Sequence, residues 1–301
     1  MSANSSFPPS SSSSISLYHF LQNCYTSPAG TFSTVALTVC SLLLVLPPCV
    51  YVIYQGLKQR HSGTTASHSD VFTYHMVAVE LMSIVGCLLC SCGSLTGITE
   101  MVAVGMSILA MNICGQQLFH LLTCVERYLA VVHPVTYLGL RSQKGVRVRK
   151  VSIGCVWMLC FANMSCLYLG NTNSIIISSV WCLAFIVLVI FFCSLSVLCV
   201  LIGPGPGARG VEGRQRVDRA KKRAFYTITV ILVVVLVKVG GATVYSASYN
   251  HLHLESEKCT VWLSTSWLSL PSSLVLPLLF LHRAGKLLFC KSSDRSGQGS
   301  D

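Results

Sequence analysis

About 20 apolar residues are needed to cross a lipid bilayer, and seven stretches of this chain approach or exceed that length. They run roughly from Phe32 to Leu57, Val71 to Leu95, Met101 to Val132, Val151 to Tyr168, Ile175 to Ile202, Ala224 to Tyr249 and Val261 to Leu281. Lipid offers the backbone no hydrogen-bond partner, so each stretch must satisfy its own N–H and C=O groups and is read as a helix. Pro47-Pro48 and Gly240-Gly241 are expected to kink their helices rather than end them, because neighbouring helices re-satisfy the freed carbonyls. The fold class that follows is an all-α membrane protein, a bundle of seven transmembrane helices over residues 31–281.

Composition agrees. The 301 residues are 52% hydrophobic and only 10% charged, against about 25% charged in soluble domains, and the mean hydropathy is +0.65. With 21 Lys+Arg against 10 Asp+Glu, the net charge of +11 fits either a nucleic-acid binder or a membrane protein with its basic residues on one side. Position decides between them. Lys58 and Arg60 follow the first stretch; Arg141, Lys144, Arg147, Arg149 and Lys150 follow the third; Arg209 to Arg223 follow the fifth; Arg283, Lys286, Lys291 and Arg295 follow the seventh. The intervening connections hold only Lys258. Nucleic acid is excluded as a partner, the lipid bilayer takes its place, and the N-terminus lies outside with the C-terminus in the cytoplasm. The basic connection from Gly203 to Arg223 either lies on the anionic inner leaflet or serves only as a topogenic signal.

The flanks read differently. Residues 1–30 are Ser-rich and free of Lys and Arg, the pattern of a disordered extracellular tail, with Asn4 in a glycosylation sequon. The start lacks the basic residues of a signal peptide, so the first span is expected to act as its own insertion signal. Residues 282–290 alternate basic and apolar side chains and read as an amphipathic helix in the membrane surface, with Cys290 a candidate for palmitoylation. Residues 291–301 are read as a disordered cytoplasmic tail. Most of the 16 cysteines, Cys87, Cys90, Cys114 and Cys124 among them, lie in apolar runs, where a free thiol behaves as a small hydrophobe. No Ser/His/Asp constellation, nucleotide loop or zinc spacing stands out, which argues against an enzyme and against a metal centre.

Polar residues inside the apolar runs are the candidate functional positions. Glu126, Arg127 and Tyr128 end the third run and meet the His133-Pro134 turn, placing an acid and an arginine at the boundary between hydrocarbon and water. Glu80 puts a carboxylate at mid-membrane, and Asn112 and Gln116, four apart, share a helix face that can serve the same site. Lys238 must face protein or water. Two readings stay open for it: lining a ligand cavity and attracting an anionic ligand, or bonding to Glu80 or to backbone carbonyls. His75 and His120 are read as packed, hydrogen-bonded histidines, and Glu100 as either a pocket rim or an acid complementing a helix start.

Taken with the seven spans and the outer N-terminus, the Glu126-Arg127-Tyr128 triplet resembles the rhodopsin-like G-protein-coupled receptors, over the chain from about Phe32 to Cys290. Ala78-Val79-Glu80-Leu81 is similar to the family's second-helix motif, with Glu80 at the position of a sodium-binding Asp. Trp157 stands where the fourth helix of the family carries a Trp, and Pro277, followed by Phe280, where the seventh carries Asn-Pro-x-x-Tyr. The resemblance implies a plasma-membrane receptor for an extracellular ligand, with heterotrimeric G proteins as partners. It further implies an Arg127 released from its acidic neighbour on activation, and no cofactor beyond a sodium ion near Glu80.

There are departures from that pattern. Leu276 and Phe280 replace the polar Asn and Tyr around Pro277, and Lys238-Val239-Gly240-Gly241 stands where the sixth helix usually has Cys-Trp-x-Pro, making its hinge from glycine. The cysteine expected near the start of the third helix is Val102. Cys24 and Cys259 both fall on the outer side, and the resemblance to chemokine-receptor-like members implies that they pair; free thiols are the alternative. Two further readings accompany the receptor: a receptor-like protein that does not couple conventionally, and a transporter, for which no inverted repeat is evident.

Overall fold

A computed structural model describes residues 17–61, 71–139, 143–169, 172–202, 211–251 and 254–283. Among these, every regular element is a helix: α1 (Leu17–Thr26), α2 (Pro28–Cys40), a π-helical stretch (Ser41–Val45), α3 (Leu46–His61), α4 (Val71–Thr96), α5 (Thr99–Val132), α6 (Pro134–Gly139), α7 (Gln143–Leu169), α8 (Thr172–Ile202), α9 (Val211–His251), α10 (Glu255–Trp267) and α11 (Ser269–Arg283). Six segments are long and apolar enough to cross a membrane, namely Pro28–Lys58, Val71–Thr96, Thr99–Val132, Val180–Val200, Phe225–Tyr245 and Ser256–Leu281. They mark a multi-pass membrane protein. The fourth expected span falls in α7, a continuous helix that is not one of the six found among the described residues.

Proline shapes two of the spans. Neither Pro47 nor Pro48 can donate a backbone hydrogen bond, and the helix loosens just before them, the Leu46 N–H reaching back five residues to the Ser41 carbonyl. It then continues as α3. The last span departs from the single helix expected. It breaks at Leu268, whose N–H bonds the Thr265 carbonyl at 3.1 Å, and restarts as α11. Pro271 supplies the reason, since it cannot donate to the Trp267 carbonyl that a continuous helix would offer it. Pro277, by contrast, sits buried within an unbroken α11. As expected, Gly240-Gly241 does not end its helix, since α9 runs through both residues without interruption.

The disordered tail expected over residues 1–30 is corrected for its second half. Leu17–Thr26 forms helix α1, and Phe20, Leu21, Cys24 and Tyr25 on one of its faces are buried. The turn into α2 is closely made: Ser27 Oγ accepts from the Gly30 N–H and donates to the Cys24 carbonyl at 2.7 Å, with Pro28 in the first helical turn. A Cβ at Gly30 would lie 1.9 Å from the Cys24 carbonyl oxygen, so no other residue fits there without moving α1. Asn4, Cys290 and residues 284–290 of the expected surface helix lie outside the described residues.

Helix α5 is central, in contact with α4, α7, α8, α9 and α11. Its approach to α4 is closest, and at Gly105 a Cβ would meet the Cys90 backbone nitrogen at 2.8 Å. Small residues that let backbones meet drive helix association in lipid, where apolar burial alone offers little advantage. The main core joins Met76 and Val79 of α4, Phe119 of α5, Cys160 of α7, Ile190 of α8 and Ile231 of α9.

Candidate functional site

Four helices bring polar side chains to one place in this apolar core. α4 supplies Glu80, α5 supplies Gln116 and His120, α9 supplies Lys238, and α11 supplies Ser272 and Ser273. Glu80 is 1% exposed and Gln116 0%. The Gln116 amide donates from Nε2 to Glu80 Oε1 at 2.7 Å and to Ser273 Oγ at 2.8 Å, while Lys238 Nζ donates to Gln116 Oε1 at 2.5 Å. An ammonium only donates and a carboxylate only accepts, so these neighbours dictate which way the amide faces. The two charges are therefore joined through a neutral amide. Lys238 meets neither Glu80 directly nor a backbone carbonyl, the two partners considered from sequence, although its charge acts on Glu80 across the amide.

The rest of the cluster extends along α5. His120 Nε2 shares a hydrogen with Ser272 Oγ at 3.1 Å, and its Nδ1 has no partner among the described residues. Asn112 does not join Gln116: its Nδ2 donates to Ser83 Oγ at 3.0 Å, and its Oδ1 has no described partner. The Glu80 carboxylate meets the Ser273 hydroxyl and the Gln116 amide N–H, with the Lys238 ammonium beyond the amide.

Ten residues further along α5, a distance of about 15 Å at 1.5 Å per residue, lies the Glu126 triplet. Glu126 Oε1 accepts from Arg149 Nη2 of α7 at 3.0 Å, the two side chains being 7% and 11% exposed. The acid of the triplet thus pairs with an arginine from another helix. Arg127 itself is half-buried. The Tyr128 hydroxyl lies 3.1 Å from His133 Nε2, with the two rings edge to face at 5.6 Å, and His133 closes α5 ahead of Pro134.

The other sequence candidates are dispersed. Phe280 packs in an apolar cluster with its ring 6.2 Å from that of Tyr74. Trp157 Nε1 donates to His75 Nδ1 at 3.4 Å, and His75 stacks on Phe119. Glu100 is exposed in the first turn of α5, where an acid complements the helix dipole. Cys24 and Cys259 form a disulfide, Cα–Cα 5.4 Å, joining α1 to α10.

Sequence reasoning missed Ser272 and Ser273, and it counted Arg149 only among the topogenic basic residues. The serines were visible as a polar doublet in the apolar run Leu270 to Leu281, but a hydroxyl in a membrane helix more often bonds its own backbone. Nothing in the sequence distinguishes Arg149 from Arg147 as the partner of Glu126. Comparison with known protein families yields no matching family, and none of the curated proteins matches the chain.

Proposed function

We propose that this protein is a plasma-membrane receptor of the rhodopsin-like kind, a seven-helix bundle that takes a ligand from outside and signals to heterotrimeric G proteins. In this reading α7 is the fourth span, the end carrying α1 is extracellular, and the end carrying Glu126 and Arg127 is cytoplasmic. The observation that carries it is the triplet itself: Glu126-Arg127-Tyr128 closes a 34-residue helix, with the acid engaged in an ion pair. An arginine is always charged, so moving the helices around it must exchange its partners, which is what a switch requires. The positive-inside distribution of Lys and Arg supports the orientation.

A second reading, a receptor-like protein that does not couple conventionally, is favoured by Phe280. That side chain lies in an apolar cluster with Tyr74 and offers no hydrogen bond to rearrange. One experiment separates the two. Wild type and Arg127→Ala are expressed at matched surface levels and G-protein activation is read over a ligand panel. Signal in wild type that disappears in the variant supports the receptor, and equal silence in both supports the non-coupling form.

A further inference from the structure

Helix α1 is seated among the ends of several other helices, α4, α5 and α10 among them. Phe20, Leu21, Cys24 and Tyr25 pack against Cys90 of α4, Val102 and Met106 of α5, and Cys259 and Leu263 of α10, and all nine side chains are buried. The α5 contacts lie near its start, about 30 to 36 Å along the helix from Glu126. The seat is polar as well as apolar. Ser94 Oγ of α4 donates to the Tyr25 carbonyl at 3.0 Å, and the Tyr25 hydroxyl lies beside Trp262 and Ser266 of α10. Burial pushes that hydroxyl above the usual phenol range, so it stays a neutral donor. The anchors fall at positions 20, 21, 24 and 25, the spacing with which an amphipathic helix fills a groove.

We infer that the groove between the ends of α4, α5 and α10 is a binding site for a short amphipathic peptide helix, and that its resident ligand is the chain's own α1. The inference rests on the receptor reading for its functional meaning: the site a peptide from outside would enter is occupied by a tethered one. Two features mark α1 as an occupant rather than core. It is joined to α2 through the single residue Ser27, and among the described residues the one disulfide across the groove is Cys24–Cys259. Tethering makes the local concentration of α1 high, so weak noncovalent contacts suffice to keep it seated. A free peptide of like chemistry, an aromatic and a leucine followed one turn later by a small residue and a tyrosine, competes for the same seat once the tether is loosened.

Met106 reports on the groove directly. It is 3% exposed beneath α1, while Met76 and Met111 lie deeper at 0% and 2%. The full chain in lipid nanodiscs is treated with hydrogen peroxide, and methionine oxidation is read by mass spectrometry. In wild type all three stay protected. In Cys24→Ser/Tyr25→Ala, Met106 oxidises about tenfold faster while Met76 and Met111 do not. A synthetic Leu17–Thr26 peptide, with serine in place of its cysteine, restores the protection in proportion to its concentration. Met106 remaining as protected as Met111 in the variant, or gaining no protection from the peptide, overturns the inference. If the variant misfolds and all three methionines react, wild type treated with a membrane-impermeant phosphine gives the same reading without substitution, with the same two outcomes. The footprint needs no G protein. Release and re-seating of α1 with no change in G-protein activation therefore upholds the peptide site and overturns the receptor reading of it.

Discussion

Two charge pairs that α5 helps to hold are handled in opposite ways. At the centre of the bundle, Glu80 and Lys238 are held apart by the Gln116 amide, which accepts from one and donates to the other. Near the helix end, Glu126 and Arg149 touch directly at 3.0 Å. In a low-dielectric core, leaving a charge or an amide unpaired is costly, and a chain of hydrogen bonds satisfies carboxylate, amide and ammonium at once. Near the helix end the two side chains are also largely buried, 7% and 11% exposed, and one direct contact pairs them. The central arrangement is thus bound to four helices together, whereas the end ion pair joins α5 to α7.

The sharpest way to break the comparison is to remove one central charge. Lys238→Met leaves Glu80 buried without its counter-charge and is expected to cost about 3–5 kcal/mol, read as the denaturation midpoint of the detergent-solubilised protein. Adding Glu80→Gln should recover most of that loss, and if the double variant is as unstable as the sum of the singles, the two charges are not coupled. Gln116→Leu keeps both charges and deletes the link, with an expected loss of about 3 kcal/mol; a midpoint within experimental error of wild type would remove the amide from its role.

Arg149→Ala tests the other pair. Its stability cost is expected to be about 3 kcal/mol, because Glu126 is left buried without that partner. Under the proposed function it also raises basal G-protein activation, because Glu126 loses its hold on α7; unchanged basal activity at matched expression would separate the ion pair from the switch. The smallest effect is expected two residues beyond Lys238. Gly240 has open space around it, so Gly240→Ala should stabilise α9 by about 0.5–1 kcal/mol. At Gly241 a Cβ would meet Leu268 Cδ1 at 2.4 Å, so Gly241→Ala should do worse. A midpoint that rises for Gly241→Ala as much as for Gly240→Ala would show that the contact with Leu268 is not restrictive.

Apolar length was the legible part of this fold, because lipid lets a run such as Val71 to Leu95 be only a helix. Glu80, Gln116 and Lys238 were legible as costly residues, each conspicuous in its own apolar run. Their order of connection was not, since which of three groups stands between the other two depends on how α4, α5 and α9 pack. The break at Leu268 had a readable cause in Pro271, masked by the continuity of the apolar pattern around it. α1 was hidden by its setting: ten residues behind a Ser-rich stretch form no stable helix alone, and its apolar face acquires meaning only against α4, α5 and α10.

The disulfide has a consequence for motion. By joining residue 24 to residue 259 it closes 236 residues of chain into a covalent ring, with the clasp at the end of the molecule that carries α1. A hoop closed at one rim resists splaying there and leaves the opposite rim free to open. Whatever displacement the helices undergo therefore grows with distance from Cys24 and Cys259, as the blades of shears part most widely away from the rivet. The Glu126–Arg149 pair sits far down those blades.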